Sequence, residues 1–187
     1  MLSTISAATG RILISEPFMM DPNFKRSVII ITEYSVDGAM GFVLNHQGEY
    51  LLGDIIPDIS YSEMLVFDGG PVATNTLHFI HRCPDKIDDG IPIAPGVFWG
   101  GNFEQVKKLV SSYQLNDNEI KFFAGYSGWT PKQLDDEILA DSWIVSDNFK
   151  PEELFSNDEQ NLWKDVVKAL GNRYAHIANF PENPALN

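Results

Sequence analysis

The run Ser27-Val28-Ile29-Ile30-Ile31-Thr32 is β-branched and apolar through its centre, the composition of a strand buried on both faces. Asp37-Gly38 supplies a turn, and Met40-Gly41-Phe42-Val43-Leu44 follows as the partner strand of a hairpin. Upstream, Arg11-Ile12-Leu13-Ile14-Ser15 is a short strand that stops before Pro17. Downstream, the same composition predicts strands at residues 64–67, 77–81, 97–99, 120–126 and 143–145.

Helices belong to the second half. Asn102 caps one that runs to residue 111, with Gln105 placed to reach back to the cap. Thr130-Pro131-Lys132-Gln133 reads as an N-cap, a proline at the first helical position and a closing Gln, opening a helix to about residue 140. Ser156-Asn157-Asp158-Glu159 is another capping box. Trp163, Val166, Val167 and Leu170 follow it at helical spacing, and Gly171 is the left-handed stop. Strands gathered early and helices late predict an α+β layout on a mixed sheet, not a regular doubly wound one. No repeat or linker interrupts the chain. One domain over residues 1–187 is therefore expected, with its core at 10–171, an exposed loop at 85–95 and a frayed tail at 181–187.

Apolar residues make up 44% of the 187. A chain of this size buries roughly 70% of its unfolded surface and needs no disulfide or metal staple. Charge disfavours one class of partner. Thirteen basic residues against 26 acidic leave −13, and no Lys or Arg lies between Arg26 and Arg82. Phosphate backbones are gripped by neutralising them with such residues, so direct nucleic-acid binding is not expected. Cys83 is the only cysteine, which suits a reducing compartment. Residues 1–8 lack the basic region and apolar core of a signal peptide. The longest apolar run, 28–31, is far too short to span a bilayer. A cytoplasmic protein without membrane contact is the expectation.

No bond-breaking apparatus stands out. Gly125-Tyr126-Ser127-Gly128 falls between a predicted strand and a helix, where a nucleophile elbow would sit. That turn needs glycine two residues after the serine, and Trp129 stands there. His78 and His81 are three apart on a predicted strand and so face opposite ways. His46 and His176 lack neighbours at zinc spacing, and Asp88-Asp89 lacks the calcium-loop pattern. Asp135-Asp136-Glu137 is accounted for by the dipole of the helix it opens. The glycines at Gly100-Gly101 and at Gly125 and Gly128 precede helices and could cradle an anion. They match neither nucleotide fingerprint, and tight turns explain them first. Cys83 has no visible catalytic partner. No catalytic residue, metal or cofactor is expected.

Five strings carry a wider resemblance: Gly10-Arg11-Ile12-Leu13-Ile14-Ser15-Glu16-Pro17, Phe24-Lys25-Arg26-Ser27-Val28, Gly38-Ala39-Met40-Gly41-Phe42-Val43-Leu44-Asn45, Gly69-Gly70-Pro71-Val72, and Gly125-Tyr126-Ser127-Gly128-Trp129 with Gln133-Leu134. In this order and spacing, from about Gly10 to Gly171, the chain resembles the AlgH/YqgE family of bacterial proteins. The resemblance implies a branched mixed sheet curled into a pseudo-barrel and flanked by helices, in a cytosolic protein of unsettled activity. Some members are labelled transcriptional regulators through an association with exopolysaccharide gene expression, and the family offers no accepted catalytic residues. The chain departs from the family pattern at Lys132, where Gly is common, and at Thr76, where Arg often follows the Gly-Gly-Pro-Val string.

These strings give a candidate binding cleft of Arg26, Ser27, Asn45, Asp68, Gly69, Gly70, Ser127, Trp129, Gln133 and Glu137. Arg26 opens the buried strand and is expected to need a carboxylate, with Asp68 and Glu137 as candidates. Gly69-Gly70-Pro71 should bend the chain after a strand, and Asn45 should tie a turn. The leading functional reading is a binding or regulatory protein that acts through a protein partner or a small ligand. An enzyme or metabolite-binding domain with a cleft near Arg26, Asn45, Trp129 and Gln133 competes with it and calls for a pocket with converging polar groups. The partner reading calls for an exposed apolar patch. Direct DNA-binding regulation is opposed by the charge.

Overall fold

The computed structural model describes residues 2–174 and 177–180, the side chain of Gln160 excepted. Its strands are β1 (Ile12–Ser15), β2 (Val28–Ser35), β3 (Gly38–Val43), β4 (Gln47–Leu51), β5 (Leu65–Asp68), β6 (Val72–His81), β7 (Ile91–Ala94), β8 (Val97–Trp99), β9 (Ile120–Trp129) and β10 (Trp143–Ser146). Its helices are α1 (Leu52–Ile55), α2 (Phe103–Ser111), α3 (Gln133–Leu139) and α4 (Glu159–Ala169). The fold is α+β, as the early strands and late helices implied. No described helix is long and apolar enough to cross a membrane.

The sheet order is β10-β1-β2-β3-β9-β6-β8-β7, and it branches at β9. On one side β9 pairs with β6. Its other side is shared, with β5 running parallel along Phe122–Ala124 and β3 antiparallel along Ser127–Trp129. β4 then pairs with β5. The sheet does not close by hydrogen bonds, yet it curls. Ile144 of β10 and Ile93 of β7, from its two ends, share one core with Ile12, Ile30, Phe42, Phe67, Ile80 and Phe123. α4 fills that interior with Trp163, Val166 and Val167. α3 covers β1, β2 and β10 from outside through Leu134 and Ile138, and α2 covers β5, β6 and β9 through Val106 and Val110.

The hairpin of β2 and β3 is present, with a bulge between Ile31 and Glu33. β7 corrects the expectation of an exposed loop at 85–95. Pro92 lies within this short edge strand, where a missing ladder donor is tolerated. The expected tail at 181–187 lies outside the described residues.

Helix ends differ from the sequence reading in three ways. Asn102 does cap α2, accepting from the Gln105 backbone at 3.2 Å. The Gln105 side chain, however, turns to Asp88 instead of back to the cap. α3 begins later than Thr130, because Lys132 takes a left-handed φ of 67° at its N-cap. Gln133 still reaches back to the Thr130 backbone at 3.0 Å, so the box closes around a turn. For α4 the cap is Asp158, which accepts from the Asn161 backbone, while Ser156 instead accepts from Asp158.

Candidate functional site

The branch in the sheet is where the glycine strings meet. Gly69 sits in the fork between β3 and β5. Its carbonyl accepts from the Val43 backbone at 3.0 Å and from the Ser127 hydroxyl at 3.1 Å. A Cβ on Gly69 would stand 2.4 Å from the Gly125 carbonyl oxygen. Gly70, at φ +149°, would place one 2.3 Å from the Tyr126 carbonyl carbon. Ser127 is therefore neither in a turn nor exposed. It is fully buried within the far half of β9, and the strand–helix junction expected at this serine lies beyond it.

Beside the fork, Asn45 accepts from the Val28 backbone at 2.8 Å and donates to the Arg26 carbonyl at 2.9 Å. It thus ties the end of β3 to the start of β2. Ser27 is buried, its hydroxyl 3.2 Å from His46 Nε2 and its N–H donating to the Ser15 hydroxyl. Arg26 does not find the expected carboxylate. Its guanidinium lies over the Trp163 ring at 4.8 Å and donates to the Phe180 carbonyl. Among the described residues neither Asp68 nor Glu137 pairs with it, and its buried Nε meets no hydrogen-bond partner.

Trp129, Gln133 and Glu137 form a second group. One oxygen of Glu137 accepts from both indoles, Trp129 at 2.9 Å and Trp143 at 2.8 Å, and the other accepts from Gln133 at 2.9 Å. Phe24 stacks on Trp129 and meets Trp143 edge-on. Trp129 is 6% exposed and packs with Leu134 and Ile138. This knot fastens α3 to the sheet, which accounts for all three residues without a ligand.

Of the ten residues grouped from sequence as a candidate binding cleft, only Asp68 and Gly70 line the cleft that opens between β4 and β6. It has a volume of about 730 Å³. One wall is β4 with α1, contributing Glu49, Tyr50 and Asp54. The other is a bulge in β6. Val72 pairs with Tyr126 and Leu77 with Ala124, so the residues between swing outward and bring Thr74, Asn75 and Thr76 to the lip. Ala73 turns this corner at a left-handed φ of 46°. His46 closes one end. Burial holds its imidazole below the usual pKa, against the opposing pull of the Lys25 carbonyl and of the Glu159 and Asp68 charges. Among the described lining residues there is no Lys or Arg.

β4 escaped the sequence reading because it is polar and half-exposed, with no apolar alternation. The bulge escaped because its residues carry no pattern of their own. The one available signal was Thr76 at a position where the family resemblance called for arginine.

Other chemistry lies elsewhere. Cys83 is buried, and burial together with Glu119 pushes its thiol up to about 11, the reverse of activation. His78 packs against Phe42 and Tyr126, and the buried His81 against Phe98. His176 lies outside the described residues. No group of three His, Cys, Asp or Glu side chains among the described residues is placed to hold a metal ion. At Gly100-Gly101, Asp88 already covers the start of α2, its carbonyl accepting from the Asn102 backbone at 2.9 Å. That end of the helix is a turn, not an open anion cradle.

A family model described as AlgH-like matches residues 12–175. A protein named UPF0301 in Chlorobium limicola is 39% identical over 178 residues, covering 95% of each chain. Another of that name in Bacteroides thetaiotaomicron is 37% identical over 188 residues, covering 99% of this chain and 94% of that one. Among solved structures, a Corynebacterium diphtheriae protein superposes with a TM-score of 0.79 at 22% identity over 94% of both chains. The AlgH protein of Pseudomonas aeruginosa does so with a TM-score of 0.71 at 20% identity, over 96% of this chain and 98% of that one. At such identities the two structures speak for the fold alone.

Proposed function

The chain belongs to the AlgH-like family, and from that premise we propose that it is a binding protein that works through the cleft between β4 and the bulge of β6. The ligand is a small polar molecule, neutral or cationic. One observation carries this reading: a cavity of about 730 Å³, within the size range of small-molecule sites, where hydrogen-bonding side chains stand beside Ile55, Pro71 and Leu77 and no Lys or Arg is among the described lining residues. Tyr50, Asn75, Thr74 and His46 offer donors and acceptors from both walls. Glu49, Asp54 and Asp68 give the space a negative field, which repels phosphates and carboxylates. Thr76, in place of an arginine, leaves these three carboxylates without a cationic neighbour on the lip.

Binding, not bond breaking, fits the lining. Ser127 lies buried behind the cleft with its hydroxyl committed to Gly69, and the Cys83 thiol is held protonated. The proposal extends to a regulatory role in the cytoplasm. The protein would respond to a metabolite and pass the signal through protein contacts, without gripping DNA.

The test is an NMR titration of the isotope-labelled chain with two matched ligand sets. One set holds amines and neutral nucleosides, and the other carboxylates and phosphates. Backbone signals of Glu49, Tyr50, Thr74 and Asn75 should move with members of the first set only. Saturable shifts confined to residues outside the cleft, or the same cleft shifts with phosphates, would refute the proposal.

A further inference from the structure

α2 ends in a Schellman turn. The Gln114 N–H donates to the Leu109 carbonyl at 2.8 Å and the Tyr113 N–H to the Val110 carbonyl at 3.0 Å. The residue at the left-handed position of this turn is ordinarily glycine, because a side chain there strains the backbone. Here it is Tyr113, at φ 55°. The strain is not offset by burial, since Tyr113 is 82% exposed. Tyr61 stands beside it, 50% exposed, with ring centroids 6.1 Å apart and planes tilted by 38°. The Tyr61 hydroxyl donates to the Ser111 carbonyl at 3.2 Å, which fixes that ring against the end of α2.

Between and below the rings lies a groove of about 530 Å³. Its floor is apolar, built by Val110 and Leu115, and Glu63 and Asp117 stand on its rim. Asp117 is the only one of these two carboxylates with a hydrogen bond among the described residues, accepting from Asn157. Among the described residues that line the groove there is no Lys or Arg. Two phenol faces and two carboxylates around an apolar floor complement a cation with a flat, weakly hydrated body. The face of an aromatic ring attracts positive charge, and a guanidinium stacks on such a ring while its edge donates to carboxylates.

We propose that the Tyr61–Tyr113 groove is a docking surface for an arginine side chain carried on an exposed segment of a partner protein. The site is separate from the cleft between β4 and β6 and stands independently of it. It also explains the tyrosine. A position that favours glycine keeps an exposed aromatic ring because the ring makes the contact.

The experiment uses blocked pentapeptides of glycine with arginine or citrulline at the centre, titrated against the full chain while tyrosine ring signals are followed. Citrulline keeps the shape and removes the charge. Arginine should bind at least about fivefold more tightly, the scale of one cation–π contact. Tyr113→Gly should raise the melting temperature by roughly 2–4 °C while losing the arginine preference, and Tyr61→Ala should lose it as well. Equal binding of the two peptides would overturn the proposal, as would an undiminished preference in Tyr113→Gly. A fall in melting temperature in Tyr113→Gly would also overturn it, by showing that the ring serves the fold.

Discussion

Glu137 offers the sharpest test of how α3 is held. Replacing it with leucine leaves the Trp129 and Trp143 indole N–H groups without their shared acceptor. Both rings are almost wholly buried, Trp129 at 6% and Trp143 at 1% exposure, so water cannot readily take the carboxylate's place. A buried donor left unsatisfied costs about 1–3 kcal/mol. Two such donors, less the apolar gain from leucine, come to about 3 kcal/mol, or roughly 6–12 °C in melting temperature for a chain of this size. Glu137→Gln keeps one carbonyl oxygen with two lone pairs, enough for both indoles. It loses the charge assistance and the bond from the exposed Gln133 amide, which water can replace, and should cost only about 1 kcal/mol. Urea unfolding followed by tryptophan fluorescence reads both values. If leucine proved as mild as glutamine, or glutamine as damaging as leucine, the shared-acceptor account would be wrong. Ligand shifts in the cleft should survive Glu137→Gln, because the knot is scaffold.

Lys132→Gly should stabilise the fold by about 1 kcal/mol, since the residue sits at φ 67° where only glycine is free of strain; a loss of stability by thermal melting would contradict this. Lys121 tests the interior. Burial pushes its amine down to about 7, against the pull of Asp117 and Glu159, and the ammonium lies over the Phe67 ring and bonds to the Ser156 carbonyl. Between that value and the ordinary 10.5, the unfolded chain holds a proton that the folded chain has released. Stability contributed by this residue therefore rises with pH across that window and is lowest below it. Lys121→Met should accordingly gain about 2 kcal/mol at pH 6, and the difference between the two proteins should shrink by pH 10. A difference independent of pH would count against a buried amine.

The eight strands foreseen from composition all send side chains into the core, β2 with its unbroken Val28–Ile31 run above all. What composition hides is pairing. β9 reads as an ordinary strand to residue 126, yet it continues through Ser127 to Trp129 because β3 pairs with its far half. That continuation takes Ser127 out of the strand–helix junction where an elbow would sit and buries it. Asn45, Gly69 and Gly70 were legible as special positions, since each meets a backbone demand that few residues satisfy. Their demand is structural: they build the fork against which the cleft opens. The cleft's own side chains, Glu49, Tyr50, Thr74 and Asn75, lie on an edge strand and a bulge. Polar residues there are indistinguishable in sequence from any solvated surface. The carboxylate expected for Arg26 failed for a similar reason, because a ring face and a carbonyl from the distant Phe180 served instead.

Crystals soaked with a library of small polar fragments would interrogate the cleft most directly. Density for neutral or amine-bearing fragments should gather between Tyr50 and Asn75, with anionic fragments absent from that space. Fragments that collect elsewhere and leave this cavity to solvent, or phosphates seated against Asp68, would contradict the account.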